Sequence, residues 1–282
     1  MKKIGIVVVT YNRLECLKKN IESLKNIIIP NAYEVKIFIV NNASTDGTTE
    51  WINKIADKNI EVLNLKENTG GSGGFYNGIK YAVEKKVDYI WGMDDDAYPE
   101  PNSLEEIIKI LDIEGENACY WSNCNKDVEF ESPYKKVEHW MFVGFFISTK
   151  IVKEVGYPRK DFFIYHDDIE YSRRIIKGGH NIFKVRSSII DHKDAVSNNY
   201  EGKFLGKNIK IPQLPDWKMY YLVRNGLLMY SKKEKEFWYS FFIITPKLIL
   251  KVLVLKPSQL TIVLKAYFHG SIGKSGIIIK PK

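Results

Sequence analysis

Cysteine is scarce, with Cys16, Cys119 and Cys124 the three in 282 residues. An odd count leaves no complete disulfide framework, and the spacing matches no zinc motif, so inert thiols in a reducing, cytoplasmic compartment are expected. A secretory leader is not expected in the opening residues. The opening MKKIGIVVVTYNR has two lysines, but Thr10, Asn12 and Arg13 interrupt its apolar run too early, and it reads as a first core strand. Neither GK[ST] nor GxGxxG occurs; the glycine cluster is GGSGG, which excludes a Walker loop and a dinucleotide fingerprint. There is no internal repeat. The lysines are dispersed and no recognised nucleic-acid module is present, so nucleic acid is not an expected partner. One apolar stretch, FWYSFFIITPKLILKVLVL, approaches membrane-spanning length but contains Pro246, Lys247 and Lys251. A lysine at the bilayer centre costs about 3 kcal/mol, so this stretch is expected to form helices lying on the domain or on a membrane surface.

What is present is an ordinary globular balance, 45% hydrophobic and 27% charged, ample for one α/β domain and an appendage. A net charge of +8 and a pI near 9.1 point to an anionic partner without choosing among nucleotide, nucleic acid and membrane. Short β-branched runs, IGIVVVT, VKIFIVN, IEVLNL and VDYIWGM, alternate with helical patterns over 14–24, 48–55 and 74–84, and a further helix follows over 102–111. This is the pattern of a mainly parallel sheet flanked by helices. HWMFVGFFIS reads as another strand, with Gly144 at a bulge or close approach. The expected organisation is an α/β domain over 1–195, a polar loop over 196–215, and a basic, aromatic helical region over 216–282.

The fourth strand ends on Asp94, Asp95 and Asp96. A solvated acidic turn is the bland explanation. Against it, two like charges about 4 Å apart repel by roughly 4 kcal/mol at an effective dielectric of 20, whereas a divalent cation such as Mg²⁺ or Mn²⁺ reverses that sign. In open α/β sheets ligands gather at the strands' carboxyl ends. The stretch NTGGSGGFYNG, with Gly70 and Gly71, brings glycines to a helix N-terminus where backbone can approach a phosphate; a flexible turn explains it equally. In NNASTDGTTEW, capping accounts for Asp46 and Thr48, leaving Asn41 and Asn42 as the better ligand candidates.

Taken in order, VVTYNR, VNNASTDGT, NTGGSGGFYNG, MDDDAYPEPNSL and FFIYHDDIEYSRRI resemble a family 2 glycosyltransferase of the GT-A (Rossmann-like) fold over most of residues 4 to 195. The GGSGG and DDDA stretches and WKMYYLVRN resemble the bacterial galactofuranosyl- and rhamnosyltransferase branch. The resemblance implies that the 1–195 domain is nucleotide-sugar-binding and catalytic. It implies inverting transfer of a sugar from a nucleotide diphosphate donor to a glycan or lipid-linked acceptor in capsule, lipopolysaccharide or cell-wall polysaccharide synthesis. It implies that Thr10, Tyr11 and Arg13 line the nucleotide pocket, with Asn41 where the family usually has an aspartate. Asp94 and Asp96 correspond to the metal-binding DxD pair, Asp95 to a support for backbone or ribose, and His192 to a third ligand of Mn²⁺ or Mg²⁺. Asp168 corresponds to the base that takes the acceptor proton. Asp167, His166, Tyr165 and Trp140 fall near the acceptor, although helix capping and core packing explain several of them as well. A peripheral position on the inner face of the cell membrane is consistent with the basic, aromatic tail. Oligomeric state is left open. Two other readings remain: a sugar nucleotidyltransferase, and a non-catalytic scaffold that binds sugar nucleotides.

Overall fold

The computed structural model describes residues 1–125, 130–192 and 198–281. Its first half follows β1 (Lys2–Thr10), α1 (Leu14–Lys25), β2 (Tyr33–Asn41), α2 (Thr48–Ile55), β3 (Ile60–Asn64), α3 (Gly70–Glu84) and β4 (Tyr89–Asp94). Then come β5 (Tyr98–Pro99), α4 (Ser103–Glu114), β6 (Ala118–Cys124), β7 (Tyr134–Val137), β8 (Phe145–Ser148), α5 (Thr149–Val155), α6 (Asp167–Lys177) and β9 (Asn181–Asp191). The remainder comprises β10 (Asn199–Phe204), β11 (Lys207–Pro212), α7 (Asp216–Leu228), α8 (Lys235–Tyr239), α9 (Thr245–Leu255) and α10 (Leu260–Ser271), with a π-helical turn (Ser240–Ile244) joining α8 to α9.

Among the described residues the main sheet has nine strands, eight of them in the order β3-β2-β1-β4-β8-β6-β9-β5, with β7 paired to β9. β1 is central because it can be buried on both faces: Ile4, Ile6 and Val8 enter one core cluster and Val7 and Val9 the other, as a period of two requires. β1 pairs in parallel with β2 and β4, so that Thr10 lies opposite Asn41, and Val9 opposite Asp94. Three strands therefore finish together, each on a polar residue. α1 covers one face with Leu17, Ile21 and Leu24, an amphipathic stripe at helical spacing.

The chain forms two compact units, Met1–Lys160 with Tyr171–Asp194, and Asp161–Glu170 with Ala195–Lys282. The ten residues that contain the second acidic pair thus group with the C-terminal region, not with the 1–195 domain in which sequence placed them. α6 starts in the second unit and continues in the first. The second unit has its own core, built on Phe163, Tyr220, Tyr221, Val252, Val263 and Ala266.

The expected loop over 196–215 is corrected: β10 and β11 form an antiparallel hairpin in register from Asn199↔Pro212 to Phe204↔Lys207. Tyr200, Gly202, Phe204, Ile209 and Ile211 turn inward and alternate with exposed Glu201, Lys203 and Lys210, but this period of two is short and interrupted by glycine, which makes it a weak signal in the sequence. Residues 196 and 197 lie outside the described residues. α3 begins at Gly70 rather than at residue 74, so the glycines lie within its first turns. Only Phe145–Ser148 of the HWMFVGFFIS run is strand, and Gly144 does approach a neighbour closely: its φ is +75° and a Cβ there would fall 2.8 Å from Ser122 Cβ.

Candidate active site

β4 delivers the three acids to the carboxyl edge of the sheet, and the surrounding chain handles each differently. Asp95 is 2% exposed and turns toward the β1 end, where its Oδ2 accepts the Thr10 hydroxyl at 2.7 Å and its Oδ1 stands 3.4 Å from the Arg13 guanidinium. Burial pushes its carboxyl up to about 6, against the lowering effect of Thr10 and Arg13. Asp96, also buried, accepts Arg13 Nη2 at 2.8 Å on Oδ2 and lies 3.1 Å from His192 Nε2 on Oδ1. Burial alone would raise its carboxyl; the bonds and charges of His192 and Arg13 outweigh that and hold it down at about 2. The repulsion among three adjacent acids is thus answered by two basic side chains and a hydroxyl.

His192 reaches the site because β5, immediately after the acids, pairs with the end of β9, Tyr98 opposite Asp191. Asn125 then grips it: the His192 backbone N–H donates to Asn125 Oδ1 at 2.6 Å, and Asn125 Nδ2 donates to the His192 carbonyl at 3.0 Å. The hydrogen bond to Asp96 raises the imidazole's proton affinity. One ligand atom each from Asp94, Asp96 and His192 lies within 4.8 Å of the others. Two carboxylates and an imidazole form a donor set that fits Mn²⁺, with Mg²⁺ as the harder alternative. Ligation by His192 would require its neutral form, so a bound cation would compete with the proton that the hydrogen bond to Asp96 favours.

Around this site the loops are cross-tied. Asn12 Oδ1 accepts the Thr45 N–H at 2.6 Å and the Asn12 N–H donates to Ser44 Oγ at 3.0 Å. Asp46 accepts the N–H groups of both Leu14 and Thr48, each at 3.2 Å, which matches its expected capping role and extends it to two helices. Asn41 and Asn42 are corrected as ligand candidates. Both are 2% exposed, and the amide of Asn41 donates to Thr49 and Asn64 while its oxygen accepts the Ser44 N–H. The Asn42 amide donates to Asn68 and the Gly70 carbonyl, and its oxygen accepts from the Thr69 N–H and hydroxyl. With their donors consumed, both asparagines hold the turns in place. Tyr11 is 40% exposed beside these turns. Gly70, at φ +72°, opens α3, and a Cβ on Gly71 would meet nothing within 4 Å, so this end of the helix has room.

In the second unit, Asp167 and Asp168 form the first turn of α6, where the helix dipole favours acids. Asp167 is buried; Asp168 is half-buried, and burial pushes its carboxyl up to about 6 although its Oδ1 accepts the Ile169 N–H at 2.8 Å. The chain entering this turn is strained: Phe163, Tyr165 and His166 have φ of +68°, +67° and +65°. Two buried residues of α7 clamp it. Asn225 Nδ2 donates to the carbonyls of Phe162, Ile164 and Tyr165 at 2.9, 2.8 and 3.0 Å. Arg224 donates to the carbonyls of Asp161 and Phe162, both at 3.2 Å, and of Gly276 at 2.6 Å. His166 Nε2 lies 3.1 Å from the Leu222 carbonyl, to which it donates, and burial lowers the imidazole's proton affinity. Tyr165 is half-buried. Trp140, in the first unit, is corrected as an acceptor platform: it is fully buried against Phe145 and Tyr171 and offers no ring face to a sugar.

The model of Glycosyl transferase family 2 matches residues 5–173, which spans the strands, turns and acidic sites just described. The chain belongs to glycosyl transferase family 2. Among curated family relatives, an undecaprenyl-phosphate mannosyltransferase of Micrococcus luteus is 27% identical over 111 residues, 39% of this chain and 44% of that protein. The galactofuranosyltransferase GlfT1 of Mycolicibacterium smegmatis is 22% identical over 200 residues, 61% of this chain and 65% of that one. The chain thus spans less than half of the first of these relatives and just under two thirds of the second. Residues 1–349 of Staphylococcus aureus TarS, solved with UDP-GlcNAc, superpose with a TM-score of 0.60 at 16% identity, covering 96% of this chain and 81% of TarS 1–349. The mannosyltransferase PcManGT of Pyrobaculum calidifontis, solved with GDP-Man and Mn²⁺, gives 0.58 at 12% identity, covering 96% and 86%. These superpositions establish the GT-A fold.

In this family 2 chain the structure brings together Thr10, Arg13, Asp94, Asp95, Asp96 and His192. Asn125, Arg224 and Asn225 escaped sequence reasoning. The last two had a visible signal, an Arg-Asn pair inside the apolar run YYLVRNGLL, since buried polar groups must find partners. Asn125 had none.

Proposed function

We propose that this chain is an inverting, metal-dependent glycosyltransferase that moves a sugar from a nucleotide diphosphate donor to a hydroxyl of a glycan or lipid-linked acceptor in polysaccharide synthesis. The observation that carries the reading is the convergence of Asp94, Asp96 and His192 within 4.8 Å at the carboxyl end of a central strand. These three would hold Mn²⁺ or Mg²⁺, which when bound supplies Lewis-acid charge to the donor diphosphate. Thr10 and Arg13 position Asp95 and Asp96, and Tyr11 and the open α3 N-terminus at Gly70 and Gly71 provide surface for the nucleotide. Buried acids fixed by ion pairs keep this geometry without reorganisation during the reaction.

Asp168 is assigned as the general base. Its carboxylate accepts the acceptor hydroxyl proton as the oxygen attacks the anomeric carbon from the face opposite the leaving nucleoside diphosphate, which inverts that centre. A carboxyl raised to about 6 is a stronger base than an ordinary aspartate and remains ionised at neutral pH. The likeness to GlfT1 makes galactofuranose, with rhamnose, the first sugar to test. Purified protein is screened against UDP-, dTDP- and GDP-sugars with Mn²⁺ by thermal shift, since a ligand of the folded state raises stability by RT ln(1 + [L]/Kd). Hits are then assayed for transfer. Full turnover by an Asp96→Ala protein, or in the presence of EDTA, would overturn the assignment.

A further inference from the structure

The helical stretch Lys235–Leu255 is long and apolar enough to cross a membrane, yet only 17% of its most apolar window is buried. Its outer surface is of a kind water-exposed helices avoid. Trp238 (47%), Phe242 (61%), Leu250 (44%) and Leu253 (48%) are exposed along it, and Phe268 (59%) adds to them from α10. So much exposed apolar surface on one helical stretch calls for an occupant. The aromatic end is organised: the Trp238 ring stacks on Phe242 at 5.7 Å and 18°, and its indole N–H donates to the Lys232 carbonyl at 3.1 Å, beside Lys233 and Lys235. α10 is tied to the same helix by the Tyr267 hydroxyl, which donates to the Phe241 carbonyl at 3.1 Å.

The charge identifies the occupant. No acidic residue follows Glu236, and every Asp, Glu, Lys or Arg position from 237 to the end is a lysine. An apolar, Trp-bearing helix whose charged residues are cationic matches an anionic lipid interface. A second copy fits poorly, because it would set lysines against lysines. A membrane span fits poorly as well. Lys247 and Lys251 lie in mid-stretch, each costing about 3 kcal/mol at a bilayer centre. In addition, Phe237, Ser240, Thr245 and Val252 are buried within the second unit, with Ser240 donating to the Gly226 carbonyl at 3.1 Å. We infer that α8, the π-turn, α9 and α10 form an interfacial docking surface that lays this protein on anionic bilayers, with Trp238, Phe242 and Phe268 entering the headgroup region and lysines meeting lipid phosphates.

The inference goes beyond sugar transfer, and its test needs none. The full chain is sedimented with vesicles of phosphatidylcholine alone and of an equimolar mixture with phosphatidylglycerol. Binding to the anionic vesicles alone, reduced about tenfold or more in the double variant Trp238→Glu/Phe242→Glu, is the expected result. Both positions are exposed, and circular dichroism verifies that the variant stays folded. Equal sedimentation of parent and folded variant would overturn the proposal. So would a lipid-free dimer abolished by the same variant, which assigns the surface to self-association, or alkali-resistant membrane insertion, which assigns it to a span.

Discussion

His192 Nε2 lies 3.1 Å from Asp96 Oδ1, two residues 96 positions apart that are brought together by the two-residue strand β5 pairing with the end of β9. If this pair grips a metal, His192→Ala and Asp96→Asn weaken Mn²⁺-dependent nucleotide binding by about tenfold or more, read by calorimetry with Mn²⁺ and nucleoside diphosphate. Asn125→Ala, which frees the His192 backbone, produces a smaller loss. Undiminished Mn²⁺ affinity in His192→Ala would remove His192 from the site.

Asn225 tests the clamp beneath the second acidic pair. Asn225→Asp keeps shape but replaces an amide donor with a carboxylate facing the Phe162, Ile164 and Tyr165 carbonyls. Loss of these buried bonds is expected to cost about 2–4 kcal/mol, visible as a lower melting temperature, and to depress kcat more than donor KM. A variant as stable as the parent would show that the strained 161–166 segment holds itself.

The raised carboxyl of Asp168 sets a pH dependence with two opposite signs. If Asp168 is the base as proposed, its carboxylate form is the active one, and kcat/KM should fall as pH drops through about 6. Stability runs the other way. A folded value of about 6, set against roughly 3.9 in the unfolded chain, gives a contribution that is complete below about pH 4 and lost as pH rises to about 6. Asp168→Asn should therefore be inactive yet more stable than the parent at neutral pH, by about 1–3 kcal/mol. Denaturant titrations at acidic and neutral pH check the sign.

Glycines in α3 divide into two kinds. A Cβ at Gly74 would overlap Val9, and at Gly78 it would fall 2.5 Å from Val7 Cγ1 and 2.8 Å from Val40 Cγ2. Gly78→Ala should lose about 1–3 kcal/mol through overpacking against β1 and β2. Gly71→Ala, with open space around it, should be tolerated. Chemical denaturation of the two variants separates packing glycines from those that leave room for a ligand.

The alternation of β-branched runs with amphipathic helices was readable because strand and helix periods differ, and α2 was bounded correctly from residues 48 to 55. The acids at the end of β4 were readable because a strand that stops on three like charges needs an electrostatic explanation. The β10–β11 hairpin was not, since its apolar alternation, Tyr200 to Phe204 and Ile209 to Ile211, is short and interrupted by glycine. Neither was the inward turn of Asn41 and Asn42, because the same amide can bind a ligand or a backbone.

By itself the sequence determined the order of elements from β1 to β4, the family, and which acids stand at strand and helix ends, all matters of local pattern. Only the tertiary structure decided that Asp95 turns to Thr10 while Asp96 turns to His192, that Trp140 is core, and that α7 holds the chain before Asp168. Those outcomes depend on which distant groups compete for each hydrogen-bonding atom, and that competition exists only once the sheet and helices have closed.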